Sequence, residues 1–262
     1  MKNFHFKWII VWFFLNSTFS LAVEIHYIKV PNAVQNNTNR PTILDCKYSI
    51  RPDDSELVVQ WYLNEELVYQ WIPPNKPQSL GVLKDEVDLE YTATDDPKTV
   101  YRSVKLNNPT SNMAGEYKCS VSTLGDQDSA LKSMIVFEPE QHLNIRKTMD
   151  QKYVNFTCQA SEVYPSPKLV LYKQSNEDIH SKMWISTTQW DIKKNPETRK
   201  YTMFIVGTEK LSEIDPGTLV FCELKIPKTE YVKIKSLLYY PDGQTITIYK
   251  INRGQLFYKN NY

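Results

Sequence analysis

The chain has 262 residues, 31 Lys and Arg against 30 Asp and Glu, and a hydrophobic share of 41%. Near-neutrality excludes the basic footprint of a nucleic-acid binder. Seven glycines hold no phosphate-binding loop, dinucleotide fingerprint or nucleophile elbow. The charge is unevenly spread, however. Residues 23–137 carry 11 basic and 16 acidic side chains, a net of −5, and residues 138–262 carry 18 and 14, a net of +4. Two solvated surfaces account for this; a basic partner for the first half is the sharper reading.

Lys2 and Lys7, the apolar run Trp8 to Leu15 and the small-x-small Ser20-Leu21-Ala22 read as a signal peptide over residues 1–22, cleaved after Ala22 or a residue or two earlier. The apolar run is shorter than the ~20 residues a membrane span needs, and no later segment is long enough either. The C-terminal Phe257 to Tyr262 is polar and lacks the hydrophobic tail of a lipid-anchor signal. A secreted, extracellular product is expected. Beyond the signal, Asn36-Asn37-Thr38 and Asn155-Phe156-Thr157 are acceptor sites for N-glycans. Alternation from an inward Cys158 turns Asn155 outward.

The four cysteines lie in two pairs, Cys46 and Cys119 separated by 73 positions, Cys158 and Cys222 by 64. Four cysteines allow three connectivities, and the spacing of an immunoglobulin-type sandwich selects 46–119 and 158–222. Trp61, fifteen residues after Cys46, stands where strand C carries its core tryptophan, and Tyr117 stands two residues before Cys119, the place of a tyrosine corner. The expected fold is all-β: two tandem immunoglobulin-like β-sandwiches, V-type and then C-type or C2-like, after the signal peptide. The expected domains are 23–138 and 139–240, with a tail over 241–262.

In the first domain Thr42, Leu44, Cys46 and Tyr48 alternate inward as strand B, and Leu57, Val59 and Trp61 as strand C. Leu67 to Trp71 follow as C′, Val104 and Leu106 mark strand E, Tyr117, Cys119 and Val121 strand F, and Leu131 to Phe137 strand G. The stretch between Trp71 and Val100 leaves room for the extra strands of a V-type domain. Met113 takes the place where an acidic residue usually caps the E–F turn. Glu138-Pro139-Glu140 forms a short joint. The second domain is expected to place strand B at Tyr153 to Cys158, C at Lys168 to Tyr172, D near Trp184 to Trp190, E at Tyr201 to Gly207, F at Leu219 to Leu224 and G at Tyr231 to Leu237. Leu171 replaces the core tryptophan there, and Val220 the corner tyrosine. The residues after Tyr240 read as a short hairpin or a loose tail.

Little chemistry is available. His26, His142 and His180 are isolated from one another and no metal-spaced cluster exists. All four cysteines are used by structure. Asp53-Asp54, Asp85-Glu86 and Asp95-Asp96 lie at turns and read as solvated loops. Lys233 and Lys235 read as an exposed lysine-decorated edge rather than a glycan contact. The chain is expected to be no enzyme, with no cofactor and no metal. The candidate surface is the outer face of the C–C′ sheet. With Trp61 inward, Gln60 and Tyr62 point out and Tyr69 and Trp71 follow on C′. Lys118 is outward between Tyr117 and Cys119. Tyrosine and tryptophan concentrate binding energy because they bury large area at small entropic cost; the competing reading packs one or both C′ aromatics inside.

Cys46-Lys47-Tyr48, Gln60-Trp61-Tyr62, the run Leu67 to Pro77 and Gly115 to Val121 resemble the beaten-path family of insect immunoglobulin-superfamily proteins. The segment Cys158 through Tyr164-Pro165-Ser166-Pro167-Lys168-Leu169 is also similar to constant-type domains of costimulatory and nectin-like receptors. The resemblance implies cell-surface recognition and adhesion in axon guidance, through a Sidestep-like immunoglobulin-superfamily receptor. Two alternatives stay open: a humoral immune protein that binds microbial surfaces, and a soluble decoy of a tethered relative.

Overall fold

The computed structural model describes residues 23–174 and 181–241, with the backbone of 246–248, 251–252 and 255–256. The signal-peptide reading of residues 1–22 lies outside these residues.

The first half of the chain forms strands β1 (Glu24–Lys29), β2 (Ala33–Gln35), β3 (Thr42–Ser49), β4 (Val58–Leu63), β5 (Glu66–Trp71), β6 (Gln78–Ser79), β7 (Val104–Leu106), β8 (Gly115–Ser122) and β9 (Gln127–Phe137). They make two sheets, ordered β1-β3-β7 and β2-β9-β8-β4-β5-β6. Strand β3 alternates strictly, with Thr42, Leu44, Cys46 and Tyr48 buried, because only one face of it meets the core. Strands β5 and β6 extend the sheet of β9, β8 and β4, which is the V-type addition. Strand D is reduced to a single bridge between Val87 and Leu106.

Cys46 and Cys119 join the two sheets, with Cα atoms 6.4 Å apart. Closing a loop of this length stabilises the domain by about 4 kcal/mol in the chain-entropy model. Trp61 is fully buried beside the bridge, as Cys119 is its register partner. The Tyr117 hydroxyl donates to the Met113 carbonyl at 2.8 Å, so the tyrosine corner forms although Met113 is buried and apolar. The customary acid at that turn is missing, and Arg102 instead pairs with Asp45 at 2.9 Å. Burial would raise the Asp45 carboxyl, but hydrogen bonds from Arg102 and Ser103 outweigh it and hold the group below its ordinary value.

The second half forms β10 (His142–Met149), β11 (Tyr153–Val163), β12 (Lys168–Gln174), β13 (Met183–Trp184), β14 (Thr187–Lys194), β15 (Tyr201–Lys210), β16 (Leu219–Lys225), β17 (Val232–Leu238) and β18 (Ile246–Ile248). The sheets are β10-β11-β15-β14 and β13-β12-β16-β17-β18, the four-plus-three arrangement of a constant-type domain with short additions at each edge of the second sheet. Beyond β18, Ile251–Asn252 pairs with Gln255–Leu256. The Cys158–Cys222 bridge joins the sheets. Both halves therefore carry immunoglobulin-like sandwiches, each with its own core.

Two strand assignments are corrected. The expected strand D near Trp184 to Trp190 is split: Trp184 pairs with Tyr172 in one sheet and Trp190 with Ile205 in the other. The chain changes sheets at Ile185, which is buried against Leu171 and Gly207. A Cβ on Gly207 would lie 2.6 Å from Ile185 Cγ2, so this glycine makes the space that a branched side chain fills where the tryptophan is absent. Lys233 is exposed and Lys235 half-buried, but their parity is not that of the outer face. They stand opposite the core residues Leu224 and Cys222, and Val232 and Ile234 take the outer side.

The Glu138–Glu140 stretch is held by the second half of the chain. Glu138 and Tyr164 exchange backbone hydrogen bonds at 2.7 and 3.0 Å. Lys200 pairs with Glu138 at 2.7 Å, and the Tyr231 hydroxyl donates to Glu140 at 3.0 Å.

Gly115 opens β8 with φ of +154°, and a Cβ there would fall 2.3 Å from Asn64 Oδ1. That oxygen accepts the Glu116 amide at 2.9 Å and fixes β8 against the β4–β5 turn. Gly115→Ala should therefore lower stability by about 1–3 kcal/mol, read as a drop in the urea midpoint. An unchanged midpoint would show that Asn64 has room to move.

Candidate functional site

Register decides which side chains of β4 and β5 face outward. Trp61 pairs with Tyr69 and Val59 with Trp71, whereas Gln60 pairs with Gln70. Directly opposed residues share a sheet face, so the C′ aromatics lie on the core side. Tyr69 is 1% exposed and Trp71 2%. The Tyr69 hydroxyl donates to the Tyr101 carbonyl at 2.9 Å, and Trp71 Nε1 to the Asn75 carbonyl at 3.0 Å. Burial drives the Tyr69 hydroxyl well above its ordinary pKa. The expectation that Tyr69 and Trp71 follow outward fails, because these large rings fill the space beside the disulfide and find carbonyl partners for their polar atoms. A bulge between Trp61 and Tyr62 sets Val68 as the extra residue opposite them, and Val68 is buried as well.

What remains outward forms two rows across the sheet. Leu131, Lys118, Tyr62 and Leu67 are register neighbours on β9, β8, β4 and β5. Beside them run Ser129, Ser120, Gln60, Gln70 and Gln78. The side chains are linked. The Tyr62 hydroxyl donates to Gln60 Oε1 at 2.9 Å, and Gln60 Nε2 donates to Gln70 Oε1 at 3.0 Å. Lys118 Nζ lies 4.5 Å from the centroid of the Tyr62 ring, a cation–π contact that orients both groups. Gln127 Nε2 donates to Ser120 Oγ at 3.0 Å. Leu131 is 56% exposed and is the largest unshielded apolar group of the first row.

Gln60, Tyr62 and Lys118 are thus brought together, each half-buried. Leu131 and Gln70 were missed by sequence reasoning. The signal for Leu131 was the parity of β9 counted back from buried Met134 and Val136, which leaves it on the outer side. The face is flat, nearly neutral and rich in amides. It offers donors and acceptors already held in place, which lowers the ordering cost of binding. Among the described residues no group of three or more His, Cys, Asp or Glu could hold a metal ion.

The two sequons differ. Asn155 sits on the outer side of β11 between its register partners Thr148 and Thr208, and the Thr208 hydroxyl donates to its Oδ1 at 2.7 Å. Asn36 is half-buried, and its Oδ1 is enclosed without a hydrogen-bond partner.

Bovine butyrophilin superposes with a TM-score of 0.58 at 14% identity, over 80% of this chain and 96% of that structure. The shared fold is a tandem pair of immunoglobulin-like β-sandwiches. The first two domains of Rst match at a TM-score of 0.50 and 12% identity, over 82% and 97% of the two chains. In sequence the chain is 25% identical to T-lymphocyte activation antigen CD86 of Oryctolagus cuniculus over 213 residues, which is 75% of this chain and 60% of that protein. The Homo sapiens CD86 is 23% identical, over 76% and 61%. The chain thus spans about three fifths of the length of these curated relatives. No family model matches it. No helix among the described residues is long and apolar enough to cross a membrane.

The buried and exposed aromatics should separate cleanly. Trp71→Ala removes a side chain packed on the core and should cost about 3–5 kcal/mol in urea unfolding. Tyr62→Ala should stay within about 1 kcal/mol of the parent. Equal losses from the two substitutions would place Tyr62 in the core and overturn the assignment.

Proposed function

We propose that the outer face of β9, β8, β4 and β5 recognises another immunoglobulin-type domain, and that the protein works in extracellular cell-surface recognition or adhesion. The observation that carries this reading is the linked set Lys118–Tyr62–Gln60–Gln70, ordered before any partner arrives and flanked by exposed Leu131. A sheet face of this kind matches a flat partner of similar chemistry: Tyr62 and Leu131 supply area, the amides supply directional hydrogen bonds, and Lys118 supplies one charge. A recognition role is also consistent with the likeness to T-lymphocyte activation antigen CD86.

At a finer level the reading places the working unit in a secreted protein made of domains 23–138 and 139–240. A Sidestep-like receptor, as the beaten-path resemblance implies, is the first partner to test, with a role in axon guidance as its consequence.

The secreted chain, screened against immobilised immunoglobulin-superfamily ectodomains including Sidestep-type receptors, should select at least one. Against that partner Tyr62→Ala should weaken binding by about 2 kcal/mol, roughly thirtyfold. Leu131→Asp should weaken it further. Ile43→Ala, on the opposite sheet and 38% exposed, should stay within about 0.5 kcal/mol. A partner that binds all three variants equally well would refute this face as the binding site.

A further inference from the structure

The second sandwich carries an outer face built against the usual rule. A strand with one solvated face ordinarily turns its apolar residues to the core and its polar residues to solvent. On β17 the order is reversed. Val232 and Ile234 stand outward and are 45% and 47% exposed, while Lys233 and Lys235 take the parity of the core residues opposite them. The same outer face continues across the sheet as an aromatic row. Trp184, Tyr172 and Phe221 are register neighbours on β13, β12 and β16. Tyr172 stacks on Phe221 with ring centroids 4.9 Å apart, and Trp184 meets Tyr172 edge-on at 5.5 Å. None of these rings belongs to the hydrophobic core between the sheets. Trp184 is 62% exposed, so the row forms an apolar ledge open at one end. Tyr172 and Phe221 are themselves only 3% and 5% exposed, so the solvent-facing apolar groups are Trp184 at one end of the face and Val232 and Ile234 at the other. Exposed apolar groups gathered on one face mark interaction surfaces.

Charge indicates what the ledge receives. Glu223 lies beside it, its side chain 4% exposed and neutralised by Lys225 at 2.6 Å and Lys182 at 3.5 Å. Both lysines keep about half of their side-chain surface, and Lys168 is exposed next to Lys225 in register. Three lysines against one glutamate leave the rim positive and select a partner that is apolar at its centre and acidic around it. The first domain of the same chain is acidic, with the net of −5 over residues 23–137 set against +4 over 138–262, a sum of −1. Two copies side by side in the same direction would set like charge on like. Two copies in opposite directions set each half against its complement twice, and the two-fold axis closes the assembly. A sum near zero leaves no net repulsion to oppose this.

We propose that the outer face of the β13-β12-β16-β17 sheet is a self-association surface that takes the acidic first domain of a second copy, in a reciprocal antiparallel dimer. The test is sedimentation velocity on the full secreted chain over a wide concentration series. A monomer–dimer equilibrium is expected, with a Kd that rises tenfold or more as salt goes from about 0.1 M to about 1 M and the Debye length falls from ~10 to ~3 Å. The double variant Trp184→Ala, Ile234→Ser should raise Kd thirtyfold or more with the melting temperature unchanged, because both residues are exposed, and Lys168→Glu, at an exposed lysine of the same rim, should raise it as well. A monomer at every concentration in low salt would overturn the proposal, as would a dimer insensitive to salt and to the double variant. A dimer abolished by Tyr62→Ala but retained by the double variant would assign self-association to the first domain and also overturn it. Receptor binding through Tyr62 is read separately, so either result can fail without the other.

Discussion

Cys119, Trp61 and Tyr69 are register neighbours on three adjacent strands, and all three point into the space between the sheets. This row is the constraint on which the first domain depends. The disulfide to Cys46 fixes the distance between sheets at one point, the tryptophan fills the volume beside it, and the tyrosine anchors the far end through its hydroxyl. Because side chains alternate with a period of two, one inward row sets the parity of each of these strands. Gln60, Tyr62, Gln70 and Lys118 are outward for no other reason than that their neighbours are inward. A slip of one residue between β4 and β5 would bury the glutamines and expose the rings.

The two sandwiches use equivalent sheets in different ways. In the first, the outer face is polar, its one ring held by a lysine and a glutamine. In the second, the outer face is a row of stacked rings with aliphatic side chains beyond it. The same scaffold therefore presents a polar, hydrogen-bonded surface and an aromatic one, in line with the general independence of site from fold. The joint matters to both. The Glu138–Lys200 pair and the Tyr231–Glu140 hydrogen bond tie the connecting stretch to the second domain, while backbone hydrogen bonds hold it against Tyr164.

Much of the fold was legible because the features that mark it are covalent or periodic. Cysteine spacing, a tryptophan fifteen positions on, a tyrosine two positions before the second cysteine and strict alternation on β3 all survive in a linear reading. The errors came where pairing, rather than local pattern, decides. Tyr69 and Trp71 share a parity with each other, but which face that parity occupies depends on their alignment with β4 and on the bulge at Val68. Trp184 and Trp190 lie close in sequence and in different sheets, because Ile185 enters the core through the space at Gly207. Lys233 and Lys235 looked outward by chemistry, but the outward side of β17 belongs to Val232 and Ile234. Leu131 was legible in principle, from the buried Met134 and Val136 of its own strand.

Hydroxyl-radical footprinting of the intact protein, read residue by residue by mass spectrometry, tests the central claim most directly. The account predicts rapid labelling of Leu131 and Trp184, intermediate labelling of Tyr62, and protection of Tyr69 and Trp71 until the protein is unfolded. Labelling of Tyr69 and Trp71 at the rate of Tyr62 in the native protein would contradict it, because the sheet would then be paired in another register and the face described here would not exist.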